Sequence, residues 1–242
     1  MAAVLGTNVA SMFNVNALNK SKMALDTSLA RLSSGSRINS AKDDATGLVS
    51  AIGFDSQLRG SLQAQRNANE GVAKAQTADS YLSQMTENLQ RLREIAVQLG
   101  GTASGKEAEA LIDENARINA LVVGTGNVVV NSNGGVVAGT GAAPTVSANT
   151  VTTLTVAAVD TQLTSVSGSR ASYGADMATF QSAANNLGNS AVNIAAQLSA
   201  IMDTDYATES ANMTKNNILQ QAGTAALSQA NQAPNNITQL LR

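Results

Sequence analysis

LSQMTENLQRLREIAVQL, residues 82–99, is the stretch that decides how this chain folds. Within it Leu82, Met85, Leu89, Leu92, Ala96 and Leu99 recur at spacings of three and four, the stripe of a helix packed along another helix. Nothing upstream stops such a helix as far back as Asp43, so the spacing predicts one helix from about Asp43 to Leu99. At 1.5 Å per residue it would span on the order of 85 Å, more than a globule of this mass holds. Gly60 and Gly71 each cost such a helix about 1 kcal/mol relative to Ala, so packing must hold it straight. Gly100 and Gly101 end it. A partner stripe lies near the other end: Val159, Leu163, Val166, Arg170, Tyr173, Met177, Phe180, Ala184, Leu187, Ala191, Ile194, Leu198 and Ile201, polar only at Arg170. Two matched stripes far apart in sequence predict a mainly α protein, a long antiparallel helical rod. Its intrachain core is expected from Leu82, Met85, Leu89, Leu92, Leu99, Tyr173, Met177, Phe180, Leu187, Ile194, Leu198 and Ile201.

Composition narrows the function. The 242 residues include three Phe, three Tyr and no Trp, and the 43% apolar fraction is mostly Ala, Leu and Val, which suits closely approaching helices. Zero Cys excludes disulfides and Cys-ligated metals, and zero His removes the commonest general base and metal ligand, so no enzyme and no cofactor are expected. Without His, the His-Glu-x-x-His helix of a metallopeptidase is impossible. Asp43-Asp44 and Asp113-Glu114 read as helix-start and solvated charges rather than an acid–base pair. A net charge of −2 with no long basic run argues against nucleic acid and against a lipid-binding helix. The first fifteen residues do not read as a secretory signal, and no apolar run approaches the roughly 20 residues of a membrane span.

From Asn8 to about Ser34 the pattern is helical, with Val15, Leu18, Leu25, Leu29 and Leu32 on one stripe and Lys22 intruding, while Met12, Phe13 and Met23 lie off it. Apolar residues on two sides call for more than one neighbour: either burial inside a compact domain, or cover by another copy of the molecule. Ser33-Ser34-Gly35 is a helix stop, and Ser40 with Asp43 three residues later resembles an N-cap. Lys106 to about Asn119 suits a short amphipathic helix. Between Ile118 and Ser169 the only charge is Asp160. There Val128–Val130 and Val136–Val137 flank Asn133-Gly134, a hairpin signal, and Val151–Val156 alternates like a further strand. Gly139–Pro144 reads as a loop, with a disordered linker the alternative for the whole run. The returning helix is expected over about Ala158–Ile201, with a restart at Asp203 and Asp205. A last helix then runs to about Ala230 and is ended by Pro234. In that helix Met213, Ile218, Leu219, Ala222, Ala225 and Ala226 occupy more than one face.

The expected organisation has two coaxial layers. An inner terminal coiled coil takes residues 1–39 and 203–242, and an outer bundle takes 40–120 and 157–202. A small β excursion, 121–156, sits at the outer tip. Inner-core and self-association residues are expected among Met12, Phe13, Val15, Leu18, Leu25, Leu29, Leu32, Met213, Ile218, Leu219, Ala222 and Ala226.

At this point the sequence resembles bacterial flagellin. The motifs are Leu32-Ser33-Ser34-Gly35 with Arg37-Ile38-Asn39-Ser40-Ala41-Lys42-Asp43-Asp44, Gln65-Arg66-Asn67-Ala68-Asn69, and Leu89 through Gln98. The C-terminal half adds Asp205-Tyr206-Ala207-Thr208-Glu209, Ile218-Leu219-Gln220-Gln221-Ala222-Gly223 and Gln229-Ala230-Asn231-Gln232-Ala233-Pro234. They cover about the first hundred and last seventy-five residues. The middle departs, being short and weakly charged. So do Ala178-Thr179, which stand where an Asn-Arg or Phe-Arg pair is common. The resemblance implies a structural subunit that polymerises into the extracellular filament of a bacterial flagellum for swimming, exported without a cleaved signal. It further implies as partners the flagellar export apparatus, an export chaperone near Ile218–Leu241, and hook-associated and cap proteins. A hook–filament junction protein with flagellin-like ends is the alternative. It also implies that Gln90, Arg91, Leu92, Arg93, Glu94, Ile95, Ala96 and Val97 are similar to the epitope of a host toll-like receptor. In that reading Arg91 and Glu94 are polar anchors and Leu92 an apolar one; the plainer reading puts Leu92 in the helical core and Arg91 and Glu94 on a solvated face.

Overall fold

The computed structural model describes residues 7–129, 135–144 and 154–240. They form helices α1 (Val9–Ser34), α2 (Ala45–Gln98), α3 (Lys106–Leu121), α4 (Val156–Met202) and α5 (Tyr206–Leu240), with strands β1 (Asn127–Val129) and β2 (Val136–Ala138) between α3 and α4. This is the mainly α helical bundle that the heptad spacings imply.

Helix ends follow local chemistry. Asn8 caps α1 by accepting from the Ser11 N–H at 3.0 Å, and Gly35, at φ 71°, closes it by donating to the Arg31 carbonyl at 2.8 Å. The cap of α2 is Asp44, four residues later than the expected Ser40. Asp44 accepts from Gly47 N–H at 2.8 Å, while Asp43 is spent on the preceding turn, accepting from the Asn39 and Ser40 amides and the Ser40 hydroxyl. Gly100 and Gly101 turn the chain at φ 83° and 119°. Asp205 caps α5, accepting from Ala207 N–H at 2.9 Å and the Thr208 hydroxyl at 2.7 Å, and these bonds hold its carboxyl below the ordinary range. Two expectations fail at boundaries. Val156 belongs to α4 rather than to a strand, and α5 passes through Pro234 to Leu240 instead of ending there. A proline removes one helical donor without forbidding the turns on either side.

By packing, the chain divides into Met1–Phe54 with Ala196–Arg242, and Asp55–Ala195. In the first unit α1 packs on α5. The connectors on either side of them form a short antiparallel bridge at Ser36 and Asp203, where Thr204 donates to the Gly35 carbonyl at 3.0 Å. The Arg37 amide donates to Met202 O at 2.6 Å and its guanidinium to Ile201 O at 2.9 Å, which satisfies two of the carbonyls a helix end leaves open.

In the second unit α2 keeps an unbroken three–four alternation of buried positions, Ser61, Ala64, Ala68, Gly71, Ala75, Ala78, Leu82, Met85, Leu89, Leu92 and Ala96, joined at its end by the buried Ile95. The ion pairs Arg93–Asp160 (2.7 Å) and Asp79–Arg170 (2.9 Å) set α4 antiparallel to α2 and explain the one polar member of the α4 stripe. Size is complementary along the pair: Phe180 sits against Gly71, where an added Cβ would lie 3.0 Å from its ring. Gly71 is thus required by the close approach, and its helix-propensity cost is offset there. α3 completes the core with Ala108 and Ile118, and its buried Asn115 accepts from Asn88 at 2.9 Å.

Of the expected core, Leu82, Met85, Leu89, Leu92, Tyr173, Phe180 and Leu187 are buried. Met177, Ile194, Leu198 and Ile201 are half-buried. Leu99 is a correction: it is 52% exposed, because α2 stops at Gln98 and the two glycines lead the chain away.

The β pairing is antiparallel, with Asn127 opposite Ala138, Val128 opposite Val137 and Val129 opposite Val136. The Asn133-Gly134 turn and residues 151–153 of the expected further strand lie outside the described residues. Val128 approaches Gly71, so the hairpin lies alongside α2, while the Thr102–Thr155 bridge stands where α2 ends and α4 begins. What fastens this region is a carboxylate. Asp176 is 3% exposed and accepts from Thr140 N–H (2.9 Å), Thr140 hydroxyl (2.7 Å), Gly141 N–H (2.8 Å) and the Thr125 hydroxyl. Burial opposes its ionisation, but these donors prevail and keep its carboxyl below the usual range. One helical turn earlier, the buried Tyr173 donates to the Val123 carbonyl at 3.2 Å.

Candidate functional site: an uncovered apolar surface on the terminal helix pair

Seven positions of α1 turn towards α5 at spacings of three and four: Ser11, Asn14, Leu18, Ser21, Leu25, Ser28 and Leu32. On α5 the corresponding positions are Glu209, Met213, Asn216, Gln220, Gly223, Leu227 and Ala230. The two most buried residues of α1 are serines, Ser21 and Ser28. Small residues let the helices approach closely: an added Cβ at Gly223 would lie 3.3 Å from Leu18. Polar contacts cross the seam at intervals. The Ser21 hydroxyl donates to Asn216 O at 2.9 Å, Tyr206 OH to Leu32 O at 3.2 Å, and Arg31 pairs with Glu209 at 3.7 Å.

The seam therefore takes only part of the expected inner-core set. Leu18, Leu25, Leu32 and Met213 are half-buried in it. Met12, Phe13, Val15, Leu29, Ile218, Leu219, Ala222 and Ala226 are exposed, Phe13 to 74% and Ile218 to 60%. Val9 and Met23 add to the same exposed set. The seam thus mixes leucines and Met213 with serines, asparagines and Gly223, and it leaves more large apolar side chains in solvent than a helix pair that is stable alone would. So many exposed large apolar residues on one helix pair mark an interaction site. The inward serines were not anticipated, although Ser21 and Ser28 stand seven apart, as heptad partners do.

The segment 90–97 divides by face. Leu92, at 1% exposure, belongs with Ile95 and Ala96 to the core of the second unit and cannot be the apolar anchor of an exposed epitope. Gln90, Arg91, Arg93, Glu94 and Val97 face outward. Arg91 donates to Glu107 on α3 at 2.8 Å and to Glu94 at 3.0 Å; Glu107 and then Glu94 raise its pKa above the ordinary value. Arg93 is held by Asp160.

Beside α2, a shallow groove of about 340 Å³ is lined by Ala73, Thr77, Tyr81, Leu121 and Val123, and its charged residues Glu70 and Lys74 pair with each other at 2.8 Å. Among the described residues no group of three acidic side chains is placed to hold a metal ion, and no helix is long and apolar enough to cross a membrane.

Residues 5–124 match the family model for the bacterial flagellin N-terminal helical region, and residues 156–241 match that for the C-terminal helical region. The chain is 30% identical over 391 aligned positions to a flagellin of Bordetella bronchiseptica, covering all of both proteins. It is 49% identical over 115 residues to a flagellin of Escherichia coli O127:H6, covering 47% of this chain and 21% of that protein. The phase 1 flagellin of Salmonella naestved is 48% identical over 115 residues, covering 47% and 23%. The chain thus spans only about a fifth of the enterobacterial relatives' length.

Proposed function

The chain belongs to the bacterial flagellin family, and from that premise we propose that it is a structural subunit that polymerises into the extracellular flagellar filament. The observation that supports this reading is the terminal helix pair: a seam of leucines interleaved with serines and amides between α1 and α5, with Met12, Phe13, Met23 and Ile218 left in solvent. Sister copies covering that surface would supply burial that the free chain lacks. With so thin a seam, α1 and α5 are mobile in dilute monomer and ordered in the filament. Strong hydrogen-exchange protection of residues 10–30 in the monomer would contradict that. Export proceeds through the flagellar apparatus without a cleaved signal, with a chaperone engaging α5 from about Ile218, and hook-associated and cap proteins bind the same filament.

Recognition by the host toll-like receptor is a finer reading of the outward face of α2, now without Leu92: Gln90, Arg91, Glu94 and Val97 carry it. Arg91→Ala tests it, and unchanged receptor signalling would remove it. The filament itself is tested by electron microscopy of purified protein after a polymerisation step. Long uniform filaments are expected; discrete short assemblies would point to a junction protein, and monodisperse particles under every condition would overturn the proposal.

A further inference from the structure

We infer that Asn8 is a positioning residue that repairs the break Pro234 makes in α5 and fixes the register of α5 against α1. α5 continues from Tyr206 to Leu240 through Pro234. In an α-helix the N–H of residue 234 would serve the carbonyl of residue 230, and proline has no N–H. That carbonyl is supplied from the other end of the chain: Asn8 Nδ2 donates to Ala230 O at 2.9 Å, across 222 residues of sequence. The same side chain caps α1, its Oδ1 accepting from Ser11 N–H at 3.0 Å. With the oxygen committed to the cap, the amide nitrogen is left for α5. The other α1 side chains that reach α5 carbonyls, Ser21 to Asn216 and Asn14 to Ala226, address residues whose helical donors, at positions 220 and 230, are not proline. Ala230 is the position where the helix itself supplies nothing. A slip of α5 by one turn would therefore cost the pair its one obligatory bond, so a proline that weakens α5 locally makes its alignment specific.

The test separates this bond from the cap. Asn8→Ser keeps an N-cap oxygen but cannot reach Ala230, and Pro234→Ala restores the missing helical donor. Amide hydrogen exchange is followed beyond Ala226 in α5 and in the first turn of α1, on both the free chain and any sedimentable assembly. Asn8→Ser is expected to speed α5 exchange about three- to tenfold, as for an acceptor left to intermittent water, with the α1 turn unchanged. In the Pro234→Ala background the same substitution is expected to have no effect on α5. An equal effect in both backgrounds, no effect in either, or an α5 unprotected in both free chain and assembly would overturn the inference. None of these readouts depends on whether the assembly is a filament.

Discussion

Replacing Phe13 by alanine and replacing Phe180 by alanine are chemically one substitution with opposite expected consequences. Phe180 is fully buried and packed on Gly71, so its loss leaves a cavity that the small residues of α2 cannot fill. Truncations of this kind cost ~3–5 kcal/mol of folding stability. Phe13 is 74% exposed on α1, so Phe13→Ala removes little from the free chain, and alanine's better helix propensity returns ~0.5 kcal/mol. If sister copies cover that ring, assembly loses about three-quarters of the ~2.5 kcal/mol that burying a phenylalanine is worth, or ~2 kcal/mol. The critical concentration for polymerisation should then rise ~30-fold, at one decade per 1.4 kcal/mol. Urea unfolding followed by circular dichroism reads the first quantity, and the pelletable fraction at graded concentrations reads the second. A Phe13→Ala chain that loses more than ~2 kcal/mol of stability, or that polymerises at an unchanged critical concentration, would refute the reasoning.

Three further outcomes are expected. Asp176→Asn leaves donors facing an NH₂ group and should cost ~2–4 kcal/mol, with faster exchange confined first to Thr140 and Gly141. Because the folded carboxyl lies below its unfolded value of about 3.9, its contribution is present above that pH and is lost as pH falls through the lower folded value. An acid titration of the unfolding free energy should therefore show a loss below about pH 4 that Asp176→Asn reduces, the remainder belonging to other lowered carboxyls such as Asp43 and Asp205. Gly141→Ala would drive a methyl into the Tyr173 ring and should cost ~2 kcal/mol or more, read by thermal unfolding. Arg91→Ala should leave the unfolding midpoint nearly unchanged, since Arg91, Glu94 and Glu107 are all solvent-exposed, so any loss in receptor signalling reads recognition and not folding.

The second unit was legible in the sequence because its partners are within the chain. Leu82, Met85, Leu89 and Leu92 repeat at heptad spacing and meet Val159, Val166 and Tyr173, which repeat likewise, and hydrophobic period alone matches the two. The same rule finds only part of the contact face of α1. Leu18, Leu25 and Leu32 do lie in the seam, but the rule adds the exposed Val15 and Leu29 and passes over Ser21 and Ser28, and the apolar residues outside the seam are left for neighbours that a single chain cannot reveal. Leu99 continued the stripe in register but falls one residue past the end of α2, just before the two glycines, where the helical period no longer places a side chain. The Asp176 cluster was invisible for another reason: Thr125, Thr140 and Gly141 sit in a low-charge stretch with no periodicity, and only the docked hairpin region brings them to one carboxylate. Pro234 was read as a stop because its missing donor is a local fact, while the compensation by Asn8 is a tertiary one.

Methionine oxidation footprinting tests the central claim most directly, since a chain without cysteine directs mild peroxide to its methionines. Met12 and Met23 are 61% and 62% exposed and Met85 is fully buried, which gives two reporters and an internal control. The account predicts that Met12 and Met23 oxidise readily in the free chain and are protected in the assembled filament, with Met85 slow in both. Filaments in which Met12 and Met23 oxidise as fast as in the free chain would contradict it.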